Sequence, residues 1–425
     1  MTRDELLQII EQSARDGVKE LDLAGNDLTE LPPQIGQLIQ LEKLILGKLD
    51  PRKGWIGNKL QTLPAEIAQL KNLSWLDLRA NQLSSLPPEI AQLQNLSRLD
   101  LSANQLSSLP PEIAQLQNLS WLDLSKNNLP IPPEILSKID EPAEIINYYL
   151  QNKAEPSRLL NEAKVLLVGE AKVGKTSLVK RLIDDTFDPA ERMTEGINIR
   201  AWPIDANQQT VKLNIWDFGG QEIMHATHQF FLTKRSLYLL VLNARQDEQG
   251  NRIEYWLKII RSFGGNSPVI VVGNQVDQKS LDIDRRGLKR KYPNIVGFIE
   301  TSCSNPKHRG VEKLRREIQA QITDLPHVFD RLPASWFEVK ARLEKLEADY
   351  IEYHQYQQIC ADQKVADEQS QKTLIGFLHD LGIALNFRDD PRLQQDSVLN
   401  PEWVTNGVYS ILNDNALMTQ HKGML

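Results

Sequence analysis

Cysteine is almost absent from this chain: Cys303 and Cys360, two in 425 residues, are too few for a disulfide framework. Long apolar runs are absent too. The longest, such as Leu237–Leu242, suit a buried strand and fall far short of the ~20 residues that span a bilayer. No long basic run stands out and the net charge is −7, which argues against nucleic acid or an anionic membrane as a main partner. The opening Met1-Thr2-Arg3-Asp4-Glu5 is acidic and the apolar stretch behind it is too short for a signal peptide. A cytoplasmic protein of about two to four domains is expected at this length.

What is present is more specific. Gly169-Glu170-Ala171-Lys172-Val173-Gly174-Lys175-Thr176, with Ser177 behind it, follows the β-branched run Lys164–Val168 and precedes a helical pattern. Strand, glycine loop and helix are the context a phosphate-binding P-loop requires. Unpaired backbone N–H groups and a helix N-terminus offer positive charge to a phosphate. Lys175 is placed to reach the outer phosphates and the Thr176 hydroxyl to ligate Mg²⁺.

Three later motifs narrow the nucleotide. Lys212–Trp216 alternates as a strand and ends at Asp217-Phe218-Gly219-Gly220-Gln221; an Asp there can hold the Mg²⁺ shell through water. Gly220 lets the backbone approach a γ-phosphate. Pro268–Gly273 is an apolar strand closed by Asn274-Gln275-Val276-Asp277, where a carboxylate can accept from guanine N1–H and its exocyclic amine. Adenine would leave Asp277 facing a lone pair, a mismatch of about 1–3 kcal/mol. Phe298–Cys303 runs from strand into loop, bringing Ser302 and the Cys303 amide toward the guanine carbonyl.

These motifs, in this order, make residues Lys164 to Ile322 resemble a Ras-type G domain. The segment from Asp217 to Phe231 resembles the Roc domain of the Roco family, of prokaryotic type. The resemblance implies binding of GTP and GDP with Mg²⁺, and slow hydrolysis. It makes Thr194-Glu195-Gly196-Ile197 switch I, with Thr194 a further Mg²⁺ ligand, and starts switch II at Asp217. Gln221 stands where such enzymes orient the attacking water. The base-reading motif usually has Lys in place of Gln275; that lysine packs on the purine and ties down the P-loop, so the change bears on affinity more than on base identity. An arginine finger is worth ~10³–10⁵ in rate, and the sequence singles out none. Lys234 and Arg235 are candidates, although a solvated helix end is the plainer reading.

The first 140 residues carry a second signal. Leu73–Leu83 recurs 23 residues on from Leu96 and again from Leu119, with earlier copies from Val18 and Leu41. L-x-x-L-x-L-x-x-N-x-L is the leucine-rich repeat, an α/β solenoid unit that buries its leucines only against its neighbours. Asn81, Asn104 and Asn127 are expected to bond backbone inside the turns. Leu41 and Leu73 lie 32 residues apart, and Leu49–Gly57 supplies most of the excess as a loop. Alternation points Leu76 and Leu78 inward and aligns Asp22, Asp77, Asp100 and Asp123 on the concave face, beside Trp75, Arg98 and Trp121. That face reads either as a surface for a protein partner or as repeat consensus with Asp kept for solubility.

The expected layout is therefore multidomain. Residues 1–140 are repeats with an N-terminal cap at Asp4–Ile10. Residues 141–160 hold a capping helix and a linker, polar near Asn152–Ser157, and 161–327 form the Ras-like α/β domain. Residues 328–425 resemble the opening, mainly helical part of the COR domain, with Trp336–Cys360 helical. The chain reads as truncated there, before the family's usual dimerisation surface, so homodimer formation is not expected of it. Three tempting sites have plainer readings. Asp217-Phe218-Gly219 spells a kinase magnesium motif without the H-R-D loop. His225 and His228 share a helix face with no completing ligand, and Arg285, Arg286, Lys289, Arg290 and Lys291 read as a solvated face. Two functions remain: a GTP-operated switch coupled through COR to partner-binding repeats, or a repeat scaffold with a degenerate or structural nucleotide site.

Overall fold

Leucines at alternate strand positions leave water only when one repeat stacks on the next. They do so in the computed structural model, which describes residues 1–194, 196–219, 231–277, 279–304, 310–386 and 396–412. Strands Glu20–Asp22, Lys43–Ile45, Trp75–Asp77, Arg98–Asp100 and Trp121–Asp123 form one parallel sheet in that order, each repeat in register with the next. Leu44, Leu76, Leu99 and Leu122 are fully buried. On the far side, 3₁₀ turns at Pro33–Gln37, Ala65–Gln69, Pro88–Gln92 and Pro111–Gln115 close the repeats. Asn104 shows how each turn is held. Its amide donates to the Leu78 and Leu101 carbonyls at 3.0 Å each, and its oxygen accepts from the Leu83 N–H at 3.0 Å. Asn81 and Asn127 do likewise, as expected, and so does Asn58, which the irregular repeat hides from the sequence pattern.

Both ends of the solenoid are covered. Helix Arg3–Asp16 begins in a capping box between Thr2 and Glu5 and buries Leu6 and Ile10. Helix Pro142–Ala154 packs on the last turns, with the Tyr149 hydroxyl accepting from the Leu109 N–H at 2.9 Å. The stretch read as a loop at Leu49–Gly57 is instead an antiparallel hairpin, Lys48–Asp50 with Gly54–Ile56. The Asp50 carboxylate receives the Arg52 and Lys53 N–H groups at 2.8 Å and fixes its turn. The expected linker at Asn152–Ser157 is largely ordered: the capping helix runs through Ala154, and strand Ser157–Leu159 pairs with Arg331–Pro333.

Residues Met1–Ser157 form one compact unit and Arg158–Leu425 the other. The second is built on a six-stranded sheet ordered Ile197–Ala206, Gln209–Phe218, Glu162–Val168, Ser236–Asn243, Val269–Asn274, Ile295–Glu300. Only the first pair is antiparallel. Helices Lys175–Ile183 and Gly310–Asp324 cover one face, and Ile253–Gly264 with Arg285–Lys291 the other. The inner strands Glu162–Val168, Ser236–Asn243 and Val269–Asn274 are buried on both faces, hence their near-continuous apolar character, while the edge strand Ile197–Ala206 alternates between exposed and covered positions. Beyond the sheet come helices Ala334–Glu344, Tyr353–Asp362, Glu368–Leu381 and Pro401–Leu412. The helical stretch expected over Trp336–Cys360 is broken: strand Tyr350–Glu352 pairs with Asp396–Val398. A partner that far along the chain leaves no local trace. No helix among the described residues is long and apolar enough to cross a membrane.

Asn104→Ala should lower the stability of the first unit by about 2–3 kcal/mol, because it orphans buried backbone groups. The exposed Asn118→Ala should stay within about 0.5 kcal/mol of the parent. Urea titration of both variants decides, and equal costs would refute the ladder as a source of stability. In the second unit, burial, with Arg235 beside it, pushes the His327 pKa down to about 3. Unfolded histidine titrates near ~6.5, so between these values the unfolded chain binds the extra proton and stability falls as pH drops. His327→Leu should flatten the slope of unfolding free energy between pH 7 and pH 4.

Candidate functional site: a phosphate and guanine cleft

Where the strand order of an open α/β sheet reverses, loops at the carboxyl ends of the strands leave a crevice. Here that point is the end of Glu162–Val168, and Gly169–Thr176 turns there into helix Lys175–Ile183. Two glycines are required by the turn. Gly169 has φ +140° and a Cβ there would lie 2.2 Å from the Val241 carbonyl; Gly174 has φ +86° and its Cβ would meet the Asn274 amide at 2.5 Å. The Lys175 ammonium is buried and donates to the Gly169 and Glu170 carbonyls at 2.8 and 2.9 Å, arching the loop. Burial brings its pKa down to about 8, against the pull of Asp217 and Glu170.

Three oxygens converge on the cleft from separate elements. The Thr176 hydroxyl donates to Asp217 Oδ2 at 2.6 Å, lies 2.5 Å from the Thr194 hydroxyl, and Thr194 in turn reaches Asp217 at 3.4 Å. Asp217 Oδ1 is buried and accepts no hydrogen bond among the described residues. Burial raises the Asp217 pKa to about 6, with Thr176 and Lys175 pulling the other way. A dehydrated carboxylate with a spare oxygen beside two hydroxyls suits a small, hard, oxygen-seeking cation such as Mg²⁺. The cleft measures 310 Å³ and is also lined by Lys172, Gly174, Ser177, Arg192 and Gln275. A larger cavity of 660 Å³ near Asn214 and Gly382 is lined by Glu344, Glu347, Asp349 and Glu402 against the single cation Lys212, a balance that does not suit a phosphate.

Of the expected base-reading residues only Gln275 lines this cleft; the others lie behind it, joined by side-chain bonds. The Asn274 amide donates to the Val173 carbonyl at 2.9 Å, while its oxygen accepts from the Thr301 hydroxyl at 3.1 Å and the Cys303 thiol at 3.5 Å. The Gln275 amide bonds the Lys172 carbonyl at 3.1 Å, so it ties down the P-loop as the usual lysine would. Asp277 Oδ1 accepts from Ser302 at 3.3 Å and Oδ2 pairs with Arg245 at 3.0 Å. Burial opposes ionisation of Asp277, yet its own N–H, Arg245 and Ser302 hold its carboxyl below the ordinary range. Arg245 gave no signal in the sequence, because only the fold brings it to Asp277.

Gly220, Gln221, His225 and His228 lie outside the described residues, as does Glu195 of switch I. Among the described residues no group of three His, Cys, Asp or Glu side chains could hold a metal. Helix Arg285–Lys291 exposes its basic residues, as expected. Arg235 differs from the solvated helix end read from sequence. It is fully buried, pairs with Asp330 at 3.1 Å and stacks 4.2 Å over Phe377. It precedes strand Ser236–Asn243, at the sheet edge opposite the P-loop, and is too far away to serve the cleft.

The concave face of the first unit also departs from expectation. Asp77 and Asp100 are buried, not solvating: each carboxylate accepts the N–H two residues on, and Arg79 bridges the pair. Beside them runs a half-buried column in which Lys43 lies 4.3 Å over Trp75, and the Arg98 guanidinium sits between Trp75 at 4.6 Å and Trp121 at 3.9 Å.

Comparison with known proteins agrees with this geometry. Residues 164–277 match the Roc family (Ras of Complex, Roc, domain of DAPkinase), and 333–425 match COR-A (C-terminal of Roc, COR-A domain). Residues 71–129 and 17–38 match leucine-rich repeats. The probable serine/threonine-protein kinase pats1 of Dictyostelium discoideum is 32% identical over 312 residues, which cover 66% of this chain and 10% of that protein. A Roc-COR-CHAT protease of Runella zeae is 29% identical over 280 residues, 60% of this chain and 30% of that one. The chain thus spans only a minor part of these curated relatives. Methanosarcina barkeri Roco2 RocCORdC, solved bound to GDP, is 48% identical with a TM-score of 0.59, and the match covers 63% of this chain and 81% of that one. With that much of a solved Roco protein covered at that identity, this chain belongs to the Roco family and carries leucine-rich repeats, a Roc GTPase domain and a COR segment.

Proposed function

We propose that the protein is a guanine-nucleotide switch that hydrolyses GTP slowly to GDP with Mg²⁺. The convergence of Thr176, Thr194 and Asp217 beside the Lys175 loop carries this reading. Lys175 and the Gly169–Thr176 amides hold the phosphates, with Ala171, Lys172, Val173, Gly174 and Ser177 shaping the loop. Asn274, Gln275, Asp277, Ser302 and Cys303 form the base site, and Asp277 accepts from guanine in exchange for Arg245. Thr176, Thr194 and Asp217 would hold Mg²⁺, which would neutralise negative charge on the phosphates. Gly220 approaches the γ-phosphate and Gln221 orients the attacking water. Residues 161–327 do this chemistry, and 328–425 sense its state. The repeats recruit a protein through the Lys43, Trp75, Arg98 and Trp121 column, where half-buried aromatic and guanidinium groups make strong anchors. The scaffold alternative rests on Gln275, and the Gln275–Lys172 bond favours the switch reading over it.

Titration with fluorescent GDP, GTP and ATP should show guanine-selective, exchangeable binding. Lys175→Ala should weaken it at least tenfold. Asp277→Ala should cost ~10–100-fold for guanine and leave ATP unchanged, since a buried polar mismatch is worth about 1–3 kcal/mol. Equal affinity for ATP and GTP in the parent protein would sink the guanine assignment. Single-turnover phosphate release should be slow and should fall further in Gln221→Ala.

A further inference from the structure

Phosphoryl transfer to water builds negative charge on the oxygen that leaves with GDP, and a guanidinium fixed beside it lowers the barrier. The arginines around the cleft are mostly committed elsewhere. Arg181 donates to the Cys303 carbonyl and Asp185, Arg200 makes a two-pronged pair with Asp184 at 2.7 and 2.9 Å, and Arg245 holds Asp277. Arg252 lies over the Tyr255 ring at 4.2 Å and 3.8 Å from Glu170. Arg235 is buried at the opposite sheet edge.

Arg192 is different. It lines the nucleotide cleft with Lys175, Thr176 and Thr194, its side chain is exposed, and among the described residues it makes no ion pair or hydrogen bond. Its backbone is held from both sides. Glu191 pairs with Lys180 at 2.6 Å on the P-loop helix, and Thr194 is fixed to Thr176 and Asp217. The segment thus presents an uncommitted cation at the mouth of the cleft, two residues before the Thr194 of the expected switch I.

We propose that Arg192 is a catalytic arginine supplied in cis; this rests on the GTP-switch reading above. As the water oxygen bonds to the γ-phosphorus, the bond from that phosphorus to the β–γ bridging oxygen breaks. Its electron pair passes to the β-phosphate of GDP, and the water proton leaves on the released phosphate. The Arg192 guanidinium donates to the bridging oxygen and a γ-oxygen while that charge develops. Ground-state nucleotide carries less charge at the bridge, so Arg192 contributes little to affinity.

The test uses the full chain, its Arg192→Ala and Arg192→Lys variants, and three readouts: GDP and GTP affinity, capture of GDP with aluminium fluoride, and single-turnover phosphate release. Nucleotide affinities should stay within about threefold. Arg192→Ala should lose turnover by ~10²-fold or more and fail to capture GDP–aluminium fluoride. Arg192→Lys, which keeps the charge but not the fork, should recover only a small part of both. Turnover and fluoride capture equal to the parent in Arg192→Ala would overturn the proposal. So would outright loss of GDP binding, which would make Arg192 a binding residue. Absence of guanine binding in the parent protein itself would instead bring down the switch reading, and this proposal with it.

Discussion

One carboxamide, that of Asn274, holds three loops of the nucleotide domain in register. Its nitrogen grips the P-loop through the Val173 carbonyl, and its oxygen takes the Thr301 hydroxyl and the Cys303 thiol. Neither a carboxylate nor an ammonium could do this, because the position needs a donor on one side and an acceptor on the other. The group is about 1% exposed, so its bonds form where water offers no substitute. The spacing between the proposed phosphate and base sites is therefore set by a side chain of the base-reading loop itself, and Gln275 adds a second tie on the neighbouring Lys172 carbonyl.

Beneath the same sheet a lysine plays the corresponding role on the COR side. Lys164 is fully buried, donates to the Phe231 carbonyl at 2.7 Å and lies 4.0 Å over the Trp216 ring. Burial brings its pKa down to about 7, and the nearby Asp380 works against that fall. Helix Glu368–Leu381 ends directly on this group: Gly382 closes it at φ +75°, where a Cβ would stand 2.5 Å from Trp216, and Thr233 bonds the Asp380 carbonyl. Trp216 precedes Asp217 on one strand. The helix end thus packs on the residue that precedes the proposed metal ligand.

In the repeats, the governing constraint is backbone satisfaction. Every turn leaves N–H and C=O groups facing inward, and an asparagine answers them in each repeat, buried at Asn58, Asn81 and Asn104 and half-buried at Asn127. Two aspartates do the same work at the ends of the concave strands, equally buried. Asp77 and Asp100 bond the chain two residues on and share Arg79, and burial raises the pKa of both. This leaves the aromatic and basic column as the part of the concave face that has no structural duty of this kind.

The sequence by itself determined the solenoid, the P-loop and the order of the four nucleotide motifs. Those features rest on local rules: a leucine spacing that must stack, glycines that a tight turn demands, strands that end where a loop must face phosphate. Tertiary structure decided whatever depends on partners distant along the chain. The pairing of Arg245 with Asp277, the burial of Arg235 beneath Phe377, the duty of Gln275 on the P-loop and the strand inside the expected Trp336–Cys360 helix are all of this kind. A charged or amide side chain has the same identity whether it is solvated or enclosed. Only the neighbours supplied by folding settle its burial, its bonds and hence its chemistry.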